Sequence, residues 1–299
     1  MAAEDPRDER TTDALLARCL KGEVSPEVAA MQLILATGGT AGARAAVASA
    51  RRRLPPGVSP ARLAAVALLL SEDHDGCARI AALMQDPAAP ATGTPARLAR
   101  VRRFFDRAVA LSEEASVALY SLGSPAVLAR ATAEVVTALR RFGVLGPDRA
   151  ALEIGCGTGR IALALAPAVA EVYGLDLSRR MIAAARRHAG DRLNLHFSVT
   201  RGRDLGRFPD RRFDLVYAVD SFPYLVETGI VETHVHEAAR VLAPGGDLVV
   251  FNYSYRGDPA ADRADVGRLA AAAGFAVIAS GARPFTLWDA LAFHLRRRA

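Results

Sequence analysis

From about residue 150 the chain changes its hydrophobic rhythm, and no other feature restricts its fold as much. Before that point every apolar pattern has a helical period. After it, short strand-like runs at 151–154, 172–175, 193–197, 215–218 and 248–252 alternate with helical runs at 161–165, 181–188 and 235–242. Strands separated by helices need crossover connections, which produce a mostly parallel sheet covered on both faces. The expectation is therefore an α/β fold.

The first of these strands runs into Leu152-Glu153-Ile154-Gly155-Cys156-Gly157-Thr158-Gly159-Arg160 and then a helix. Gly155, Gly157 and Gly159 permit a tight turn and the close approach of a ligand to backbone. The second strand ends in Asp176, whose carboxylate would face the same crevice and accept both hydroxyls of a ribose. Dinucleotide sites commonly read G-x-G-x-x-G, with the pyrophosphate at the helix start. Here the spacing is G-x-G-x-G and Glu153 precedes it, so a carboxylate beside the loop is expected to repel pyrophosphate and to favour a cationic ligand.

These residues resemble the class I S-adenosylmethionine-dependent methyltransferases, whose E-x-G-x-G-x-G signature is matched at Glu153, Gly155, Gly157 and Gly159. The resemblance runs on through Gly174-Leu-Asp-Leu-Ser178, Gly202-Arg-Asp-Leu205, Phe213-Asp-Leu-Val216 with Asp220, and His236-Glu-Ala-Ala-Arg-Val-Leu-Ala-Pro-Gly-Gly246. It implies a Rossmann-like, three-layer α/β/α core with a seven-stranded, mostly parallel sheet, behind an N-terminal helical extension. Segment 263–273 would be a helix capped by Asp262, 275–279 the sixth strand and 290–295 an antiparallel seventh. S-adenosyl-L-methionine is the implied cofactor, contacted by Glu153, Gly155, Cys156, Gly157, Gly159, Asp176, Leu177, Asp204 and Asp220. Asp204 would take the adenine, although Arg203 stands where many relatives carry that acid.

The implied activity is methyl transfer to a small-molecule acceptor. Two other readings stand beside it: a nicotinamide-dinucleotide oxidoreductase and a cofactor-binding scaffold without catalysis. Methyl transfer needs proximity, alignment and a proton acceptor rather than a fixed catalytic residue. Asp220, Ser221, Phe222 and Tyr224 after the fourth strand, and Asn252, Tyr253 and Tyr255 after the fifth, are the groups placed to serve. Asp220 reads equally well as a base or cofactor contact and as a loop-capping aspartate. Tyr224 positions an acceptor or packs its loop.

A Pro/Gly/Thr-rich stretch, 86–95, divides the 299 residues into a helical module over 1–86, a linker over 87–95 and a methyltransferase domain over 96–299. Within that domain 96–145 would form lid helices and 146–299 the core. The net charge of +6 rests almost wholly on arginine, Lys21 being the only lysine among 38 basic residues. These arginines are dispersed near helix ends and mixed with acids, which disfavours a nucleic-acid track. Cys19, Cys77 and Cys156 lack disulfide or zinc spacing. The N-terminus carries no apolar run, and the longest apolar stretch, 63–70, is too short for a membrane span. A soluble cytoplasmic protein is expected, with no metal: His234 and His236 read as a polar helix face, and Asp73-His74-Asp75 as a solvated turn.

Overall fold

The computed structural model describes residues 6–71, 75–85 and 91–298. The chain forms two compact units. One gathers the described residues before 89 with Arg107–Ala131 and Phe285–Asp289; the other comprises the described part of Pro90–Asp106 with Thr132–Pro284 and Ala290–Ala299.

The first unit is helical. It contains α1 (Pro6–Leu20), α2 (Pro26–Thr37), α3 (Thr40–Arg52), α4 (Ala61–Leu69), α5 (Asp75–Gln85) and the short α7 (Glu113–Val117). Ser25 starts α2 by accepting the Val28 amide at 3.1 Å, with Pro26 at the first helical position, where its missing N–H costs nothing. The same Ser25 hydroxyl donates to the Leu287 carbonyl at 2.9 Å. Trp288 stacks on Tyr120 with ring centroids 5.7 Å apart, so segment 285–289 is part of this helical core. Helix α5 had no counterpart in the sequence reading. Asp75, taken for part of a solvated turn, opens it, while Asp73, His74 and half of the 86–95 linker lie outside the described residues.

The second unit is built on β1 (Ala150–Ile154), β2 (Glu171–Asp176), β3 (Leu195–Val199), β4 (Phe213–Val219), β5 (Leu242–Phe251), β6 (Phe275–Ala282) and β7 (Ala292–Arg297). The strand order is β3-β2-β1-β4-β5-β7-β6, with β7 antiparallel to both neighbours and the other pairings parallel. The helices are α6 (Thr94–Leu111), α8 (Pro125–Arg141), α9 (Arg160–Leu165), α10 (Arg179–Ala189), α11 (Phe222–Thr228), α12 (Val231–Val241) and α13 (Pro259–Ala272), of which α6 and α8 continue into the helical unit. The expected seven-stranded α/β sheet is present. Its central strands are buried on both faces, with Leu152, Phe213, Tyr217, Phe251 and Phe293 all fully covered. Each such side chain contributes about 1.5–3 kcal/mol through burial.

Two local expectations change, and α11 is added to the elements expected. The Pro-Gly-Gly turn does not precede β5 but lies within it, as an irregularity between the pairs Phe213–Leu242 and Leu215–Asp247. Helix α11 begins at Phe222-Pro223, where the proline occupies the first turn and starts the helix instead of breaking it. Asp262 is not a cap. Asp258 takes that role, accepting the Ala260 and Ala261 amides at 3.0 Å because Pro259 sets the first turn four residues earlier. Asp262 is buried inside α13 and accepts from Ser254 and Arg256 at 2.7 Å.

The first strand lies between β2 and β4, and the connections leaving it and entering β4 run to opposite sides. This is the topological switch point, where a crevice opens at the carboxyl ends of the strands. At the other end of the sheet, fully buried Asp247 accepts from His294 at 2.8 Å, Arg296 at 2.9 Å and Arg149 at 3.0 Å. Burial alone would raise this carboxyl, but the three donors outweigh it and hold it below the usual range.

Candidate active site

The glycine loop leaves β1 bonded to its neighbour: the Gly155 and Cys156 amides donate to the Leu175 carbonyl at 2.8 and 2.9 Å. Gly155 has a φ of +74°, and a Cβ there would lie 2.4 Å from that of Ser221. Gly159 has a φ of +79°, and its Cβ would meet Phe197 at 2.8 Å and Ala185 at 3.1 Å. At these two positions the protein's own packing demands glycine. The groups that require glycine are not a ligand but neighbours in α10, β3 and the turn after β4. Cys156 is buried under the loop, and burial pushes its thiol well above the normal range, which leaves it a space-filling group.

Glu153 is only 2% exposed, beneath the loop rather than in the crevice. The Tyr217 hydroxyl donates to it at 3.0 Å. Burial raises its pKa to about 8, against the opposing pull of Tyr217 and Arg160. At neutral pH this side chain is mostly uncharged. The expectation that Glu153 supplies a repelling carboxylate is therefore corrected: burial removes the charge.

The negative charge comes from elsewhere. Asp176, at the tip of β2, accepts the Gly157 amide at 2.9 Å on one oxygen and the Ser178 amide at 2.8 Å on the other. Burial raises its pKa to about 6, and the neighbouring Asp106 adds to the rise. Asp106 belongs to α6 and accepts from the Ser178 hydroxyl at 2.6 Å, and its own carbonyl accepts from Arg180 at 3.3 Å. Nothing in the sequence marks Asp106, because its partner lies 72 residues further on. The same helix reaches α11, where Arg97 donates to the Glu227 carbonyl at 3.1 Å and Arg100 pairs with the Glu227 carboxylate. Segment 94–106 thus spans from the β2 side of the crevice to the β4 side.

On that second side, Asp220 and Asn252 follow β4 and β5. Both adopt left-handed backbone, with φ of +60° and +67°. The Asp220 amide donates to the Phe251 carbonyl at 2.9 Å, and the Asn252 side-chain amide donates to the Asp220 carboxylate at 2.7 Å. Phe105 meets Tyr224 edge-on at 5.1 Å, and Tyr224 meets Tyr255 at 5.8 Å.

Of the residues expected to contact cofactor, Gly155, Cys156, Gly157, Gly159, Asp176 and Leu177 are brought together, the last lying against Gly202 and Leu98. Asp220 stands across the switch point. Asp204 is exposed and its carboxylate is turned into its own loop, accepting the Gly206 amide at 3.0 Å. His234 is buried rather than surface-facing and bonds to the Ile230 carbonyl at 3.0 Å; burial lowers its pKa. Among the described residues no cluster of three or more His, Cys, Asp or Glu is placed to hold a metal.

Residues 151–246 match the protein family described as "Methyltransferase domain". The chain is 38% identical over 104 residues to the demethylmenaquinone methyltransferase of Tropheryma whipplei, covering 35% of this chain and 41% of that protein. It is 34% identical over 113 residues to the ubiquinone biosynthesis O-methyltransferase of Bradyrhizobium diazoefficiens, covering 38% and 42%. The chain thus spans less than half the length of these curated relatives. Magnesium protoporphyrin IX methyltransferase from Synechocystis aligns with 67% of this chain and 97% of its own at 19% identity, with a TM-score of 0.49. The resemblance to class I methyltransferases read from Glu153 to Gly246 is borne out over that stretch.

The residues present fit S-adenosylmethionine. A carboxylate at the β2 tip suits a ribose diol, and a crevice edged by Asp176 and Asp106 suits a cationic donor better than a pyrophosphate.

Proposed function

We propose that the protein is an S-adenosylmethionine-dependent methyltransferase that acts on a small-molecule acceptor. The observation that carries this reading is the Asp176 carboxylate, fixed by the Gly157 and Ser178 amides at the switch point of a parallel sheet. Asp176 holds the ribose hydroxyls, the 155–157 backbone lines the loop side, and Leu177 with Gly202 forms an apolar wall beside them. Asp204, turned toward Gly206, is not among the residues we assign. Bound there, the cofactor supplies an electrophilic methyl group on a sulfonium.

The chain's own part is alignment and desolvation, with segment 94–106 roofing the crevice between Asp176 and Tyr224. The quinone-related names of its relatives support a small acceptor. No helix among the described residues is long and apolar enough to cross a membrane. Three buried, unpaired thiols suit a reducing compartment, and we place the reaction in the cytoplasm.

Calorimetric titration with S-adenosylmethionine, S-adenosylhomocysteine and NAD tests the reading. Binding of the first two and not the third is expected; the reverse preference overturns it. Asp176→Ala should weaken S-adenosylmethionine by about 1.5–3 kcal/mol, through loss of two bonds to a charged acceptor.

A further inference from the structure

We propose that the β3 edge of the sheet unit is a docking surface for a membrane rich in anionic phospholipid, engaged by the arginines of segment 179–212 and by the exposed side chain of Leu193. The proposal goes beyond the methyl-transfer reading and does not rest on it.

The first observation is where the charge lies. Segment 179–212 holds ten arginines against Asp191, Asp204 and Asp210, a net charge of +7. The whole chain has 38 basic and 32 acidic residues, so everything outside this segment holds 28 and 29 and sums to −1. The surplus positive charge of the chain is therefore concentrated here.

The fold brings this segment to one edge. β3 is the terminal strand of the sheet, α10 packs against it, and residues 200–212 leave its tip and return to β4. Nine of the ten arginines are exposed, and the tenth, Arg212, is half-buried and paired with Glu171. Asp210 is taken by Arg240. The guanidinium groups of Arg179, Arg201, Arg203 and Arg211 have no hydrogen-bond or ion-pair partner among the described residues. Arg186 and Arg192 bond to backbone carbonyls, which leaves their charge uncancelled. Like charges gathered without partners repel one another and attract an anionic surface.

The second observation is Leu193, 92% exposed in the turn between α10 and β3. Its neighbour Asn194 is pinned on both sides: the side-chain amide donates to the Ala166 carbonyl at 2.9 Å, and the backbone carbonyl accepts the Val172 amide at 2.8 Å. The leucine is thus presented by fixed backbone, next to Arg192. Val199, at the other end of β3, is 40% exposed.

A protruding aliphatic side chain among guanidinium groups suits a fluid interface, where the apolar tip enters the acyl boundary and the cations meet headgroup phosphates. Other occupants fit less well. Addition of a strand meets Arg186, which already donates to the Phe197 carbonyl of β3 at 2.8 and 3.1 Å. Base stacking lacks a platform, because the half-buried rings of Phe208 and Tyr173 carry Arg207 and Arg212 at 5.6 and 5.0 Å.

Co-sedimentation of the full chain with vesicles of phosphatidylcholine alone, and of phosphatidylcholine with about one-third phosphatidylserine, tests the proposal. Binding to the mixed vesicles should exceed binding to the neutral ones about 100-fold or more and fall steeply with added salt. Arg201→Gln combined with Arg203→Gln should weaken it about 25-fold, which is about five-fold per arginine. Arg51→Gln combined with Arg52→Gln removes the same charge from α3 and should change it less than about two-fold. Leu193→Ser should weaken mixed-vesicle binding about three-fold or more. Thermal unfolding of each variant shows that it is folded, and poly-uridine serves as a competing polyanion. Equal binding to both vesicles, equal losses from the two arginine pairs, no effect of Leu193→Ser, or tighter binding of poly-uridine than of the mixed vesicles overturns the proposal. The assay contains no cofactor, so its failure is distinct from failure of the methyl-transfer reading.

Discussion

Glu153→Gln offers the sharpest check on the electrostatics of the loop. In the folded protein the carboxyl titrates at about 8, raised chiefly by burial, against 4.5 for the unperturbed group. The protonated form is therefore favoured by folding. Its contribution is fully present below about pH 4.5, declines as the unfolded chain ionises, and is lost once pH passes the folded value near 8. At about 1.36 kcal/mol per pH unit, the wild type loses on the order of 5 kcal/mol across that window, and about 3 kcal/mol of it by pH 7.

Glutamine keeps the shape and still accepts from Tyr217, so it removes the titration and little else. Urea unfolding of both proteins at pH 5, 7 and 9 isolates this term, since every other titrating group is common to the pair. Glu153→Gln should gain on the wild type as pH rises, with the gap levelling off above about pH 8. Because Glu153 is already uncharged at pH 7, S-adenosylmethionine affinity there should change less than about three-fold. A stability difference independent of pH, or a ten-fold loss of cofactor affinity at pH 7, would refute the reasoning.

Other outcomes follow from the same geometry. On the proposed reading Asp176, which titrates at about 6, holds the diol as the anion, so cofactor affinity should be full well above pH 6 and fall through it; Asp106→Asn should move that fall to lower pH, read by calorimetry over pH 5–8. Gly155→Ala meets both the left-handed backbone and Ser221, and should cost about 2–4 kcal/mol in denaturant unfolding. Trp288→Ala should cost about 3–5 kcal/mol, because Trp288 is 9% exposed and stacked on Tyr120.

The periodicity after residue 150 was sufficient to give the sheet, because burial on both faces leaves β1 and β4 mostly apolar, with Glu153 and Asp214 the exceptions. The loop, Asp176 and their mutual position were legible for a related reason: a strand, a turn and a helix adjacent in sequence must be adjacent in space. Charge states were not legible. Glu153 and Asp176 look alike as letters, and only burial depth tells that one is mostly neutral at pH 7. Asp106 and the Asp220–Asn252 pair escaped because their partners arrive through tertiary contact, 72 and 32 residues away. Asp262 misled because a proline three residues earlier moved the helix start.

The sole tryptophan, Trp288, stands in a five-residue segment whose flanking strands, β6 and β7, belong to the sheet unit while the segment itself belongs to the helical one. Segment 107–131 likewise leaves the sheet unit and returns to it. Each unit is thus discontinuous in sequence, and no single cut in the chain separates them. A fragment beginning near residue 90 would retain Leu287, Trp288 and Tyr120 without Ser25, the α2 cap whose hydroxyl bonds to the Leu287 carbonyl. Expressing the sheet alone therefore calls for replacing two internal segments by short loops. The tryptophan, meanwhile, gives every spectroscopic titration of this protein a reporter whose emission follows the helical unit.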